Sequence, residues 1–526
     1  MASLDRSSAA EVMTEPHRNR NPEAPDLITS SFTYWVAAGI AFMCSLIRGK
    51  VTAVHLGPAG IGLISQLNSI SILIGSLSTL GLGNATVKLI ARARAAADDH
   101  QFRRLATFVV VTPVLASTIF VAAGMVMAHQ AAAALLGSAA SASYIAIATL
   151  SVPFNLAAGG IQVVLQGMER MIRLSSASII ATLLNTGAVI GLVAAFGLAG
   201  GVTGVLATSV IALTVLLVRE RWIIGRLTAR WHPGRAAVRE MVRYGTASVV
   251  LVILGAATDT FLRGATIARL GLTANGVYQP VIMLSSQVFL QIQTGIAMFL
   301  LPALSRAVAQ GGAEAARGQL DRALRLAVIT TVAVSLCLIA GRTPMLHVLF
   351  TGDFLPAADL IPLQLIGELF RACAYVMGAV LLPAGRLRAW LTIGVLTLGA
   401  QLVLGLALLP VVGLRALPIA FTVSWALNLV ANVTALRPFI RVAPKRPTVI
   451  STFVGMTLLT SISLATVATK SGLLDAVTAL AAVAWVLFVV SKAERKRALE
   501  LLRTSATPIR QATHTIRSHR SRRDVT

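Results

Sequence analysis

Residues 248–270 read SVVLVILGAATDTFLRGATIARL, an apolar run that carries Asp259 and Arg263. As a helix it is long enough to cross roughly 30 Å of hydrocarbon. Each ionised side chain at the centre of such a helix costs roughly 2.5–3.5 kcal/mol on insertion scales. The four-residue spacing places the pair on one helix face, where a local ion pair partly neutralises itself. Run 360–382 repeats the pattern with Glu368 and Arg371. Charges held this way belong against protein, water or a polar substrate, which predicts a polar cavity inside a membrane protein.

The surrounding composition agrees. The chain has 526 residues, 56% hydrophobic and 12% charged, with a mean hydropathy of +0.79. Soluble domains are about a quarter charged. Apolar stretches of about twenty residues recur from Phe32 to near Val490, and they are continuous rather than alternating in period two. The expected fold is therefore all-α and polytopic, with about fourteen transmembrane spans. Cys44, Cys337 and Cys373 fall inside spans and show no disulfide or metal spacing, so they read as small core residues. Residues 1–29 are polar and mixed in charge, and read as a disordered cytoplasmic tail with no cleavable signal peptide.

The net charge of +25 follows from an alternation of loops. Those after even-numbered spans hold Arg92, Arg94, Arg103 and Arg104, then Arg170 and Arg173, then a run from Arg219 to Arg243. They continue from Arg306 to Arg325, at Arg386 and Arg388, and from Arg437 to Arg446. This is about 23 cations, against two or three in the other loops, so both termini are expected in the cytoplasm. Basicity of this kind excludes nucleic-acid binding. The basic segment 492–526 is a topological anchor or a ligand for anionic lipid head groups.

The chain also repeats at an offset of 214 residues, the difference between Gly57 and Gly271. Leu56-Gly57 with Gly62 matches Leu270-Gly271 with Gly276; Gly81 matches Gly295; Arg92-Ala93 matches Arg306-Ala307; Arg103 matches Arg317. Glycine suits the turn because it accepts positive φ. An even number of spans per unit points both copies the same way, as in transporters with parallel repeats and a site between lobes. The expected organisation is an N-lobe over 30–226, a cytoplasmic linker and C-lobe over 227–437, and an extra helix pair over 438–491. His232-Pro233-Gly234 is the loop signal between the lobes.

Chemistry has few places to lie. No GxxxxGK[ST] motif is present, outer loops are short, and no cofactor or metal is implied. Gln364, Glu368, Arg371 and Tyr375 form one stripe of the tenth span, which is either a lumen face or an interhelical seam. Arg48 and Lys50 sit near the outer end of the first span and either line the cavity or snorkel. Arg342 and His347 in the ninth span are similarly ambiguous. Lys88 is an inner topological charge or a ligand. Gln287 and Gln291, beside Gln293 and Thr294, suit sugar hydroxyls or glue helices. Cations exceed anions within the spans, which favours an anionic substrate, since guanidinium groups match phosphate oxygens.

Leu56-Gly57-Pro58-Ala59-Gly60-Ile61-Gly62-Leu63, with Gly49-Lys50 before it and Asn84 to Lys88 after, resembles the amino-terminal signature of polysaccharide flippases. These are the O-antigen and enterobacterial-common-antigen (lipid III) flippases, in the superfamily of the multidrug and toxic-compound extruders. Leu300 to Arg306 resembles the family's eighth-helix ending, and Gln364 to Arg371 with Ala374-Tyr375-Val376 and Gly378 its tenth-helix signature. The resemblance covers roughly 30–440 and implies two six-helix lobes around a cationic cavity. It implies a cargo of undecaprenyl-pyrophosphate-linked oligosaccharide, flipped outward across the bacterial cytoplasmic membrane. Lys50, Lys88, Arg263 and Arg371 fall on basic positions of the pattern, and Glu368 on an acidic one. The two added helices are similar to those of lipid II flippases.

The expected function is thus a non-enzymatic flippase in which Arg263, Arg371 and Lys50 or Arg48 bind pyrophosphate. Asp259 and Glu368 pair these cations or carry a coupling proton. Expected partners are the lipid-linked anionic oligosaccharide and membrane lipids, with a polysaccharide polymerase and a chain-length regulator as protein candidates. A cation-coupled drug exporter and a membrane scaffold are the rivals.

Overall fold

The computed structural model describes residues 27–79, 82–138, 141–227, 234–309, 313–437, 446–469 and 472–489. Residues 1–26 of the expected 1–29 tail, the whole expected tail 492–526 and the His232-Pro233 loop signal lie outside them. The described residues are helical throughout, and the first helix, α1, already begins at Leu27 and runs to Thr79. A straight helix of its 53 residues would run about 80 Å, more than twice the thickness of a bilayer core. It is broken at Gly57, whose φ of 62° only glycine adopts cheaply. Pro58 follows, suited to the first turn of a new helix because its missing N–H has no partner there.

The same device recurs. After α2 (Leu82–Ala95), α3 (Asp99–Val126), α4 (Ala128–Leu136) and α5 (Ala142–Gly167) comes α6 (Met171–Arg219), broken at Gly197. Past that break α6 folds back on itself, bringing Gly204 against Val189 and Gly200 onto the Leu192 backbone. The short α7 (Arg221–Ile224) leads to α8 (Arg235–Leu284), broken at Gly271, and to α9 (Ser286–Ala309) and α10 (Ala313–Leu349). A 3-10 turn (Gly352–Asp359) meets α11 (Ile361–Gly378) at a 50° bend. The chain closes with α12 (Leu387–Val412), α13 (Ala416–Leu436), α14 (Arg446–Ala468) and α15 (Gly472–Val489).

Among the described residues, eight helices are long and apolar enough to cross a membrane, or nine if the bent pair counts as one span. This differs from the fourteen or so expected, and the glycine breaks are the physical reason. Val36–Thr79, Met171–Arg219, Val249–Ala307 and Leu387–Leu436 run 44, 49, 59 and 50 residues, each with a positive-φ glycine inside. Apolar side chains such as Val126, Ile119 and Phe453 are bare on the helix surfaces, as lipid contact allows. Cys44 and Cys373 are buried, but Cys337 is exposed; a thiol is small and apolar enough to face acyl chains as readily as a core.

α1 packs on both α6 and α8 and so joins the first and second parts of the chain. At that joint the two glycine turns interlock. A Cβ on Gly62 would overlap the Leu272 carbonyl, and one on Gly276 the Pro58 carbonyl. Leu272 and Gly276 stand 214 positions after Pro58 and Gly62, so the contact is reciprocal across the sequence repeat. Further along, α15 lies on α10: Trp485 Nε1 donates to the Ile329 carbonyl at 3.3 Å, and Arg342 Nη1 bonds Asp475.

Candidate functional site: an arginine-lined cavity and two polar seams

Beside the interlocked turns lies a cavity of about 320 Å³. Its walls come from both halves of α1, from α6 on both sides of its break, from the second half of α8 and from Phe350 just past α10. Gly201 and Gly204 let α6 pack closely, the first against Ile64 and Leu56 of α1 and the second against Val189 of its own first half. Ser45, Thr52, Ser65, Asn68, Thr208 and Gln279 supply hydroxyls and amides, and Arg48 the one cation among the lining residues. Arg48 has no hydrogen bond or ion pair to any of the described residues, and the Gln279 Oε1 is buried without a partner. An unsolvated guanidinium at membrane depth is costly. The cavity is therefore a place for water or an anion.

Ser65 connects the cavity to a seam between α1 and α8. Arg263, buried, donates from Nε to Asp259 Oδ2 at 3.0 Å and Oδ1 at 3.1 Å. Its Nη1 donates to Ser65 Oγ at 3.2 Å and Asn275 Oδ1 at 3.4 Å. Ser69 donates to Asp259 Oδ2 at 2.6 Å, and Asn275 Nδ2 donates to the Gly62 carbonyl at 2.7 Å. Gln66 Nε2 donates to the Thr260 carbonyl at 3.2 Å, and Thr260 Oγ1 to the Ser69 carbonyl at 3.1 Å. The bonds to Arg263 and Asp259 are charge-assisted, roughly twice as strong as neutral ones, and with the neutral bonds beside them they hold the two elements together.

A second seam occupies α11. Tyr278 donates to Gln364 Oε1 at 2.9 Å, and Ser286 Oγ to Glu368 Oε1 at 2.7 Å. Arg371 Nη2 lies 2.6 Å from Glu368 Oε2 and donates to the Ser286 carbonyl at 3.1 Å. Gly367, whose missing Cβ would meet the Phe421 ring, lets α13 close in until that ring lies 5.6 Å from the Arg371 guanidinium. Glu368 is fully buried, and Gln364 nearly so. In this conformation the stripe is an interhelical seam, with Tyr375 alone turned outward at 41% exposure.

The remaining candidates scatter. Lys50 Nζ donates to the His347 carbonyl at 2.9 Å and also to that of Phe350, clasping the end of α10. Lys88 on α2 is exposed, as are Gln287 and Gln291 on α9. Only Arg48 of the expected cations lines the cavity; Arg263 reaches it through Ser65, and Arg371 sits in the other seam. The sequence reading passed over Ser65, Asn68, Ser69, Asn275 and Gln279. For the first three a signal existed: Ser65, Asn68 and Ser69 are spaced three and four apart on one face of an apolar span.

Helices of bilayer length around an internal polar cavity make this a multi-pass membrane protein. It belongs to the polysaccharide biosynthesis protein family, whose model matches residues 53–359. The match ends before the Gln364–Arg371 block. The chain is 22% identical over 369 residues to the lipid III flippase of Escherichia coli (strain K12), covering 68% of this chain and 86% of that one. A lipid II flippase, MurJ, in an inward closed conformation has a TM-score of 0.68 at 12% identity, covering 90% of this chain and 100% of that chain. An inward-facing multidrug resistance transporter of the MATE family, in the MOP superfamily, has a TM-score of 0.59 at 16% identity, covering 81% and 99%. At such identities the structural likeness establishes the fold, and the family agrees with the resemblance carried by the three sequence blocks.

Proposed function

We propose that this chain is a non-enzymatic flippase of the MOP superfamily. Its cargo is an undecaprenyl-pyrophosphate-linked oligosaccharide, the repeat unit of an O-antigen or exopolysaccharide. It moves that cargo from the inner to the outer leaflet of the bacterial cytoplasmic membrane by alternating access. The observation that carries this reading is Arg48, a guanidinium without an ion pair among the described residues, in a cavity whose other polar lining is hydroxyls and amides and whose remaining wall is apolar, with Ile61, Ile64, Val205, Met283 and Phe350. A guanidinium matches diphosphate oxygens, while serine, threonine, asparagine and glutamine suit sugar hydroxyls. The volume is at the small end for a ligand site, enough for the polar junction of pyrophosphate and first sugar while the polyprenyl tail stays in lipid.

The rocking bodies are the two lobes, 30–226 and 227–437, with the arginine-rich loops and both termini in the cytoplasm. Their interlock at Gly62 and Gly276, with the Asp259–Arg263 network, closes one end. A diphosphate on Arg48 competes with Asp259 for Arg263 through the shared Ser65, so cargo binding loosens that closure. Glu368 and Arg371 hold the α11 seam, and Lys50 and Lys88 act at the cavity only after the lobes move. Loss of the chain should leave lipid-linked sugar accumulating on the cytoplasmic side. Arg48→Ala, present at wild-type level in the membrane, should fail to relieve it; full export by that variant sinks the assignment.

One rival is favoured by a particular feature. The α14–α15 pair is fastened to α10 by Arg342, Asp475 and Trp485, and the similarity to the lipid II flippase extends over 90% of the chain. A lipid II-type cargo predicts that depletion accumulates peptidoglycan precursor instead of polysaccharide precursor. A drug exporter for cations is disfavoured by the cation in the cavity, and dye efflux should be unchanged on deletion.

A further inference from the structure

A second cationic feature lies far from the cavity, at the end of the bundle where α3 starts, α5 stops, and α6 both starts and stops. There Trp222 of α7 is flanked by two guanidiniums, Arg170 at 4.6 Å and Arg226 at 5.5 Å from the ring centre. The Trp222 Nε1 donates to Glu220 Oε2 at 2.5 Å, and Glu220, only 2% exposed, also faces Arg173 at 3.8 Å. Asp99 is shared between Arg103 at 2.7 Å and Arg226 at 3.8 Å. Asp98 is engaged in capping α3 through the Gln101 N–H, and Glu169 stands at a positive-φ turn beside Arg170. Arg219 donates to Ser176 Oγ at 3.0 Å, and Arg221 is exposed. Arg170 and Arg226 are thus held over one ring despite their mutual repulsion, with Arg173 on the buried carboxylate that the ring also bonds.

The neighbours say where this cluster sits. Val218, immediately before Arg219, is 69% exposed, and Ile172, immediately before Arg173, is 38% exposed. Bare apolar side chains next to arginine mark the level where acyl chains give way to head groups, the depth at which tryptophan also concentrates. A phosphate at that level meets guanidinium forks already set around a rigid platform.

We propose that Arg170, Arg173, Arg219 and Arg226, arranged around Trp222, bind the head group of an anionic phospholipid at the rim of the bilayer. This site is independent of the cargo cavity. The test is lipid retention by the full-length protein in detergent, read by native mass spectrometry after exchange into phosphatidylglycerol or phosphatidylcholine. The wild type should retain phosphatidylglycerol in preference, and Arg170→Gln with Arg226→Gln should lose roughly fivefold in that preference per arginine removed. A second pair, Arg173→Gln with Arg219→Gln, changes two exposed side chains and carries the same expectation if the first pair misfolds. Equal retention of both lipids by the wild type overturns the proposal, as does an unchanged preference in a folded double variant. Displacement of the lipid by glycerol phosphate at equal concentration identifies a soluble-anion site and overturns it too.

Discussion

Arg263 Nε lies 3.0 Å from Asp259 Oδ2, and the same oxygen takes a hydrogen bond from Ser69 on α1. The i, i+4 pair on α8 is therefore also a tie to the first half of the chain. Its two members are unequal in setting, since the Arg263 side chain is 7% exposed and that of Asp259 46%. The half-exposed carboxylate is the weak side of the tie.

Asp259→Asn should loosen it without dismantling the fold. Removing the carboxylate leaves the buried Arg263 to Ser65 and Asn275 alone, at a cost of about 1–3 kcal/mol, which shifts a two-state equilibrium about five- to 150-fold. Spin labels at the exposed Val54 and Thr273 flank the two glycine turns. The variant should add a longer distance to their distribution; an unchanged distribution removes Asp259 from the closure.

Gly276→Ala should act in the same direction. The new methyl overlaps the Pro58 carbonyl, and overpacking of that kind costs typically 1–3 kcal/mol. Transport should fall while helicity stays, and the same labels should report separated turns. Gly62→Ala meets the Leu272 carbonyl and should reproduce the phenotype.

Arg48→Ala and Arg371→Ala should fail differently. The first removes an unpaired cation from a cavity, so thermal unfolding should stay near wild type or rise while export is lost. Arg48→Lys should keep part of it, since charge survives and the fork does not. Arg371→Ala strands the fully buried Glu368, and breaking a buried pair costs about 3–5 kcal/mol. A lower unfolding temperature and less protein in the membrane should accompany its loss of export. Adding Glu368→Gln should recover stability.

Arg342→Gln should release the last helix pair. The ion pair to Asp475 joins side chains 8% and 24% exposed, so its loss leaves a mostly buried carboxylate at the start of α15 without its cation. Hydrogen exchange in α15 should accelerate while α11 stays protected. Uniform protection would mean that Trp485 on the Ile329 carbonyl suffices to hold the pair.

The extent of legibility differed by kind of residue. Gly57 and Gly271 announced turns because a positive φ is a property of one residue and its neighbours, and the breaks lie there. Arg263 was recognisable as a charge needing company, and its nearest partner, Asp259, is four residues away on the same helix. Arg48 and Lys50, two positions apart, looked alike, yet one lines a cavity and the other clasps the carbonyls of α10. Gln279 and Asn275 carried no local mark at all, since a single amide in an apolar span is common.

Local chemistry alone decided that this chain is a polytopic helical bundle, while its motifs showed a resemblance that the family match over residues 53–359 made a membership. Run length and glycine turns are written within about twenty consecutive residues, and the alternation of arginines is a property of loop order along the chain. Only the tertiary structure decided that Gly62 meets Gly276, that Ser65 lines the cavity of Arg48 while accepting from Arg263, and that the α11 stripe is a seam. Those contacts join residues up to some two hundred positions apart, and the close approach of two helix backbones, not the identity of any one side chain, sets which polar groups can reach each other.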